Sequence, residues 1–563
     1  MIEKYLNNRF LTLYLIPFII GSLTTISFHP YNITLVNLII FPLFFYLIVF
    51  INKKSKSIYR KKPLRKNLFI FGLLFGFGFY LSGLSWITNS LTFDDNFKIL
   101  IPFALILIPL FLSLFVAFPV LLIGPYLNFN FSSLLLFSAI LAFSDYLRAQ
   151  IFTGFPWNLW AYSTVWLNEI IQVVNLIGLY SYNLVLITVF TLPIIIFFKI
   201  NTTKKILYLI LISFVILSLF IFGNLEINKN KKQLEEVNDK VFIKIISPNF
   251  ELKYGLTKEQ IEGRFKKLIR YSDPVKDKKI LFIWPEGVFS GYSYKEIVNF
   301  KELILKNFSK NHAIIFGINK LDPESGNFYN SMIVVDNNFK IIQNYNKRKL
   351  VPFGEFLPFE NFLNNFGLKK ITEGHGSFQK GQKNNNIVID KINFLPLICY
   401  EIIFTDLIQK SKLDTNLIIN ISEDGWFGNT IGPDQHFTKS IFRAIENNTF
   451  LLRSANKGIS AIIDNKGKIV KRLNRNEAGS IEFDVPLIKS KKNKNDLIFF
   501  VLLITYLFIF LIYKKKKWKI INTYSPVSQF QRVILIKCVT EFQIWLLILI
   551  YQKTQFPELH VRL

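Results

Sequence analysis

Three short apolar runs in this chain each close on a residue that acyl-transfer chemistry needs. Trp284-Pro285-Glu286 ends on a carboxylate, Tyr345-Asn346-Lys347 on an amine, and Leu397-Ile398-Cys399 on a thiol. Cys399 is the only cysteine between residues 224 and 495. The thiolate is the nucleophile, but a free thiol has a pKa of about 8.5, so a neighbouring cation or base must help ionise it. Lys347 and Glu286 fit those parts. Attack on an acyl carbonyl then develops an oxyanion, which an ammonium and a backbone N–H beside the nucleophile can stabilise. Singly, each residue has an ordinary reading: a core cysteine, a solvated strand-end glutamate, a surface lysine. It is their joint placement at three strand ends that points to thiol acyl transfer.

The surroundings of these residues are unusual for a soluble enzyme. Of 563 residues, 51% are hydrophobic and 60 are Phe, a composition that reads as a polytopic membrane protein with a soluble insert. Apolar stretches near the roughly 20 residues that a span requires occur at 11–28, 33–51, 68–89, 99–124, 132–149, 174–198, 205–223 and 496–513. The expectation is eight spans. The first carries no small-residue cleavage site and is followed by further spans, so it stays in the membrane rather than serving as a signal peptide.

Cations near span ends are retained on the cytoplasmic side. Placing the N-terminus inside assigns eighteen Lys and Arg there, including the eight between Lys53 and Lys66, against only Lys98 and Arg148 in short loops opposite. The insert is then exported and both termini are cytoplasmic. The net charge of +29 does not imply nucleic acid, because much of it flanks spans, where it sets topology and meets anionic headgroups. Cys538 falls on the other side from Cys399, so no disulfide is expected. Five scattered His offer no metal-ligand spacing, and neither metal nor cofactor is expected.

Within the insert, strands are expected at 241–246, 280–284, 313–318, 331–335, 387–389, 394–399, 416–421 and 459–463. Helices are expected at 258–271, 293–307, 402–412 and 437–447, and a hairpin around Asn465-Lys466-Gly467. The alternation argues for one α/β domain with a two-layer sheet core. The expected division is 1–223 membrane domain, 224–495 catalytic domain, 496–513 eighth span and 514–563 basic tail.

The ordered set of motifs resembles the apolipoprotein N-acyltransferase family, a membrane-embedded branch of the nitrilase superfamily. It comprises the three runs above, Leu350-Val351-Pro352-Phe353-Gly354-Glu355, Tyr400-Glu401, and Asn420-Ile421-Ser422-Glu423-Asp424-Gly425-Trp426-Phe427-Gly428. Gly432-Pro433-Asp434-Gln435-His436-Phe437, Arg443-Ala444, Leu452-Arg453-Ser454-Ala455-Asn456-Lys457-Gly458 and the loop Phe152-Thr153-Gly154-Phe155-Pro156-Trp157 extend it. The likeness runs from about residue 10 to 515.

The resemblance implies a nitrilase-like α-β-β-α sandwich between spans seven and eight, with a Glu286, Lys347, Cys399 triad. Glu355, Glu401 and Tyr400 would support it, and Trp426, Asn249, Tyr254 and Trp157 would line the substrate site. The family more often has Trp where Tyr254 stands. The implied reaction moves an acyl chain from a phospholipid, through a thioester on the cysteine, to the N-terminal amine of a diacylglyceryl-cysteine apolipoprotein. Its setting would be the bacterial inner membrane with the catalytic domain in the periplasm. A monomer is expected.

The phenylalanines of 351–367 (Phe353, Phe356, Phe359, Phe362, Phe366) have nearly helical spacing and suit either a lipid-facing lid or a core-facing helix. Residues 541–551 are apolar but shorter than a span requires. The alternative function is a membrane-anchored nitrilase-type amidase acting on a small amide. A transport or structural protein carrying an inactive domain is the third reading.

Overall fold

A computed structural model describes residues 6–55, 64–324, 326–358, 360, 377–382, 386–409, 415–489 and 495–522. Seven helices among them are long and apolar enough to cross a membrane: Thr34–Ser55, Leu64–Thr92, Asp95–Tyr126, Phe131–Gln150, Leu179–Phe197, Thr202–Glu235 and Leu497–Lys515. The first expected span is the shorter apolar helix Leu11–Ser27, which ends in a 3-10 turn before Phe28 turns extended. The stretch at 174–198 is also interrupted. Gly178 (φ +80°) separates a single helical turn, Val174–Ile177, from the helix that starts at Leu179. Thr202–Glu235 runs past position 223, and its apolar side chains from Ile206 to Leu225 stand largely exposed, a surface that a bilayer rather than water solvates.

Glycines let two of these helices meet backbone to backbone. A Cβ on Gly78 would lie 2.2 Å from the Phe18 carbonyl oxygen, and one on Gly21 2.1 Å from that of Phe75. Close approach through small residues is how apolar helices pack when burial from water no longer drives them together.

Twelve strands follow: β1 Lys240–Ser247, β2 Ile280–Ile283, β3 His312–Leu321, β4 Phe328–Val335, β5 Ile341–Asn346, β6 Ile387–Ile389, β7 Ile392–Ile398, β8 Leu417–Glu423, β9 Phe450–Asn456, β10 Ser460–Ile463, β11 Ile469–Leu473 and β12 Gly479–Pro486. They form two six-stranded sheets, ordered β12-β1-β2-β3-β4-β5 and β11-β10-β9-β8-β7-β6. In the first, β1, β2 and β3 are parallel; in the second, β7, β8 and β9 are. The flanking strands are antiparallel to their neighbours.

Side chains alternate across each strand. Ile243, Ile245, Leu281, Ile283 and Ile315 face Ile398, Ile419, Ile421 and Leu452 in the core between sheets. Ile246, Ile280, Phe282, Ile314 and Phe316 point the other way, onto Ile261, Phe265 and Leu268. Those last three lie on helix Lys258–Ser272, which starts at a Thr257/Gln260 capping box that satisfies two otherwise orphaned N–H groups. Strands covered on both faces read as unbroken apolar runs. Helix Gly432–Asn447 covers the second sheet and is buried along nearly its whole length, so the α-β-β-α sandwich is complete.

Four local expectations change. Cys399 leaves the strand expected at 394–399 and opens a 3-10 turn, Cys399–Ile403. The helix expected at 293–307 breaks into Tyr294–Ile297, Val298–Phe300 and Lys301–Asn307. The helix at 437–447 starts earlier, at Gly432, because Pro433 fits the first turn, where its missing N–H costs nothing. Of 402–412, only Asp406–Gln409 is α-helical among the described residues. Phe359, Phe362, Phe366, Cys538 and 541–551 lie outside the described residues.

The two-sheet sandwich rests on the apolar helical part through its second sheet. Asn175 donates to the carbonyls of Ile445 and Glu446 at the end of helix Gly432–Asn447. Gln172 donates to the Lys466 carbonyl in the β10–β11 turn, and Asn230 pairs with Asn465 there.

Candidate active site

The triad candidates sit at the carboxyl ends of β2, β5 and β7, the edge where open α/β sheets expose their ligand crevices. Glu286 follows β2. It is held there by Trp284, fully buried, whose indole N–H donates to Ser272 Oγ at 2.9 Å. A Cβ on Gly317 of β3 would stand 2.9 Å from the Glu286 Cα, so the close approach of these segments requires glycine at that point.

Lys347 follows β5 and is 1% exposed. Its Nζ donates to Glu355 Oε1 at 2.8 Å and lies 3.6 Å from Glu286 Oε1. The amide of Asn330, on β4, donates to both carboxylates, at 2.8 Å to Glu286 Oε1 and 2.7 Å to Glu355 Oε1. Glu286 Oε2 accepts from the Glu423 backbone N–H at 3.1 Å. Burial acts to lower the Lys347 pKa, but the Glu286 and Glu355 carboxylates together outweigh it and hold the ammonium above its ordinary value. Glu355 is fixed in turn: its Oε2 accepts from the Val351 N–H at 2.9 Å.

Cys399 adopts φ +50°, a left-handed conformation that costs a side-chain-bearing residue about 1–2 kcal/mol. Burial and then the nearby Glu286 carboxylate push its thiol well above the ordinary range, and Lys347 opposes them. The thiol is therefore protonated at rest.

Glu401 fixes the Cys399 turn to the Lys347 loop. One oxygen accepts from Tyr345 Oη at 2.8 Å, from the Arg348 N–H at 2.7 Å and from the Lys349 N–H at 3.1 Å; the other accepts from the Ile398 N–H at 2.9 Å. Burial raises its pKa against the pull of these N–H donors. Glu401→Ala would leave four donors without their acceptor, and two of them, Tyr345 Oη and the Ile398 N–H, are buried, at about 1–3 kcal/mol for each buried one. The expected result is a fall of at least about 5 °C in the melting temperature of the purified protein, read by a thermal-shift scan; an unchanged melting curve would refute the clamp.

The remaining candidates divide into two groups. Tyr254, Trp426 and Phe93 bring three aromatic rings together from the segment after β1, the segment after β8 and the membrane part, with Trp426 5.1 Å from Phe93 and 6.5 Å from Tyr254. Asn89 donates to the Trp426 carbonyl at 3.0 Å. Asn249 stands apart from the triad and donates to the Asn476 carbonyl at 2.6 Å.

Tyr400 and Trp157 instead join the Cys399 turn to the loop after helix Phe131–Gln150. Tyr400 Oη donates to the Gly154 carbonyl at 2.9 Å. Trp157 is fully buried and donates to Gln435 Oε1 at 2.8 Å. Arg148 anchors this loop: it pairs with Asp145 at 2.9 Å and donates to the Phe155 carbonyl. It is therefore a buried structural residue in the last turn of the helix rather than a loop cation.

Sequence reasoning passed over Asn330 as a site residue. It lies just before the strand expected at 331–335 and beside the polar Ser331, so no local signal set it apart.

The carbon-nitrogen hydrolase family matches residues 251–492, and the apolipoprotein N-acyltransferase N-terminal domain matches residues 20–192. The chain is 30% identical over 485 residues to the apolipoprotein N-acyltransferase of Brucella melitensis biotype 1, covering 83% of this chain and 89% of that protein. It is 32% identical to the protein of the same name from Rickettsia prowazekii, covering 79% of this chain and 88% of that one. Among solved structures it is similar to Nit3 of Saccharomyces cerevisiae, a member of branch 10 of the nitrilase superfamily, at 18% identity and a TM-score of 0.32, over 44% of this chain and 91% of that one.

Proposed function

The chain belongs to the apolipoprotein N-acyltransferase family, and from that premise we propose that Cys399 carries the acyl group between a phospholipid and a lipoprotein amine. The protein is an acyltransferase that N-acylates lipoproteins, and a multi-pass protein of the bacterial inner membrane. The assignment of roles rests on one observation: the Lys347 ammonium sits 3.6 Å from Glu286 and 2.8 Å from Glu355, beside a thiol whose ionisation both Glu286 and Lys347 influence.

In the first half-reaction, Glu286 takes the Cys399 proton as the sulfur attacks the ester carbonyl of the phospholipid. A C–S bond forms, and the oxyanion is stabilised by the Lys347 ammonium and a backbone N–H beside Cys399. The C–O bond then breaks, Glu286 returns the proton to the leaving oxygen, and a lysophospholipid departs from a thioester. In the second half-reaction, the terminal amine of the diacylglyceryl-cysteine attacks the thioester. An α-amino group has a pKa of about 7.7–8.0, so an appreciable share is already neutral near pH 7. Glu286 collects the proton released as the C–N bond forms, the C–S bond breaks, and the thiolate regains a proton.

Water would turn this transferase into a phospholipase. The aromatic group of Phe93, Trp426 and Tyr254, with Phe93 supplied by the membrane part, favours an apolar acyl path that limits hydrolysis. The cation distribution supports a periplasmic catalytic domain, residues 224–495, with both termini in the cytoplasm.

The test is to incubate the full-length protein in detergent with phospholipid labelled in its acyl chain and measure intact mass. One added acyl chain, removable by hydroxylamine and missing from Cys399→Ala, is expected, and a lipopeptide amine should discharge it faster than water does. If no thioester forms, or if acyl release to water proceeds equally fast without the lipopeptide, the transfer mechanism fails and an amidase or hydrolase reading takes its place.

A further inference from the structure

The triad leaves unused a fully buried group of charged residues directly behind the nucleophile. His436, on helix Gly432–Asn447, points Nε2 at the carbonyl oxygen of Cys399 itself, 3.3 Å away. Its Nδ1 lies 3.0 Å from Asp424 Oδ1 and 3.0 Å from Arg453 Nη2. Arg453 also donates to both oxygens of Asp424, at 3.0 and 2.8 Å, and to Asn420 Oδ1. Trp157 stacks on the imidazole with centroids 5.5 Å apart, and Phe427 meets its edge at 5.3 Å.

The donors and acceptors around the ring restrict its state. Burial and then the Arg453 charge lower the His436 pKa to about 4 against the pull of Asp424, so the ring is neutral at working pH and carries one N–H. Two acceptors compete for that proton, Asp424 Oδ1 at Nδ1 and the Cys399 carbonyl at Nε2. Asp424 Oδ1 already accepts from Ser422 Oγ at 2.7 Å and from Arg453, and Arg453 Nη2, which can only donate, also faces Nδ1, so the proton is assigned to Nε2. Nδ1 is then an acceptor, and Arg453 Nη2 supplies its donor. Asp424 keeps Arg453 in place: burial would raise its pKa, but the Arg453 guanidinium holds it well below the ordinary carboxylate range.

A histidine that only filled the core would need no particular partner, whereas this one holds the carbonyl of the residue that must attack. Cys399 occupies a backbone conformation unfavourable to any side-chain-bearing residue, and such a turn persists only when its surroundings over-determine it. We propose that His436 is a positioning residue: its Nε2–H to the Cys399 carbonyl holds the left-handed turn that aims the thiol, and Arg453 sets the tautomer that makes this bond possible. Through the Trp157 stack, the loop after helix Phe131–Gln150 bears on the same turn. The inference rests on Cys399 being the acyl carrier.

The test compares the wild type with His436→Gln, His436→Asn and His436→Phe in full-length protein. The readout is the rate of thioester formation from phosphatidylethanolamine with a labelled acyl chain. Glutamine can place an amide N–H near the Nε2 position; asparagine is too short, and phenylalanine keeps the volume but has no donor.

The expected result is a rate within about fivefold of wild type for His436→Gln. Losses of about 100-fold are expected for His436→Asn and His436→Phe, the size of effect that a misplacement of about 1 Å produces, with KM for the lipid within about threefold. Should His436→Phe not accumulate as folded protein, the Gln and Asn pair decides alone. Equal rates for Gln and Asn, whether high or low, overturn the proposal, as does a loss expressed wholly in KM. A wild type that forms no thioester overturns instead the carrier reading beneath it, so the two failures are distinct.

Discussion

Glu286→Gln is expected to slow thioester formation about a thousandfold, within the range typical of losing a positioned general base, while the protein remains folded. The fold should survive because glutamine keeps an oxygen that can accept from Asn330, which lies 2.8 Å from Glu286 Oε1. The chemistry should not survive, because the thiol of Cys399 is held above its ordinary range by burial and by Glu286 itself. Few thiolates exist at neutral pH without a base to take the proton. Removing the Glu286 charge relieves part of that upward push, yet burial, the larger cause, remains.

The pH dependence has a definite sign. With the thiol pKa raised and no internal base, the thiolate fraction grows about tenfold per pH unit until the pH reaches that pKa. The variant should therefore speed up steadily from pH 7 to beyond pH 9, where an ordinary thiol of pKa about 8.5 would level off. Single-turnover measurements of acyl-enzyme mass across this range would check it. A variant within tenfold of wild type at pH 7, or one whose rate is flat with pH, would remove Glu286 from the role of base.

Several parts of this architecture could be read from the chain because they depend on local pattern. β2 and nearly all of β7 are apolar on both faces and β1 is broken in its middle only by Lys244, so their runs stand out, and Thr257 with Gln260 marks the start of a helix. The missed strands failed for reasons of the same kind. β5, Ile341–Asn346, exposes three of its middle side chains, Ile342, Gln343 and Asn344, and two of these are polar. β9, Phe450–Asn456, is interrupted by Arg453, a charge that looks like surface until Asp424 is found 2.8 Å away. β12 alternates apolar and polar residues in the manner of a half-exposed edge strand.

The ends of β2, β5 and β7 hold the three residues that chemistry demanded, which is why the candidate triad was legible from residue type. Its support was not. Asn330 reaches carboxylates 44 and 25 positions away, and His436 reaches the Cys399 carbonyl across 37. Such contacts depend on how sheets and helices close over one another, which no period along the chain encodes. The left-handed turn at Cys399 was hidden for a related reason, since the strand pattern runs smoothly up to the residue that breaks it.

Lys347→Met should be more damaging than Glu286→Gln, because it removes an oxyanion donor and strips two buried carboxylates of their cation at once. The loss of one preorganised donor typically costs about 10²–10³ in rate. Here Glu286 and Glu355 would also face each other with only the Asn330 amide between them. Their repulsion, no longer balanced by a cation, displaces the Glu286 carboxylate from the position in which it serves as base, so the base is compromised together with the donor. The expected loss is therefore at least about 10⁴-fold in thioester formation, beyond what the oxyanion term alone supplies.

Arginine should not restore it. The site is 1% exposed and shaped around a compact ammonium, and a guanidinium is larger, planar and tied to a different donor geometry. The decisive measurement combines Lys347→Met with Glu355→Gln, which removes the second carboxylate. If the unpaired charge is part of the damage, the double variant should be faster than Lys347→Met alone by about tenfold or more, the size of coupling expected of residues in one network. If the double variant is instead slower by the product of the two single losses, Lys347 acts on the oxyanion alone and the carboxylates around it are structural.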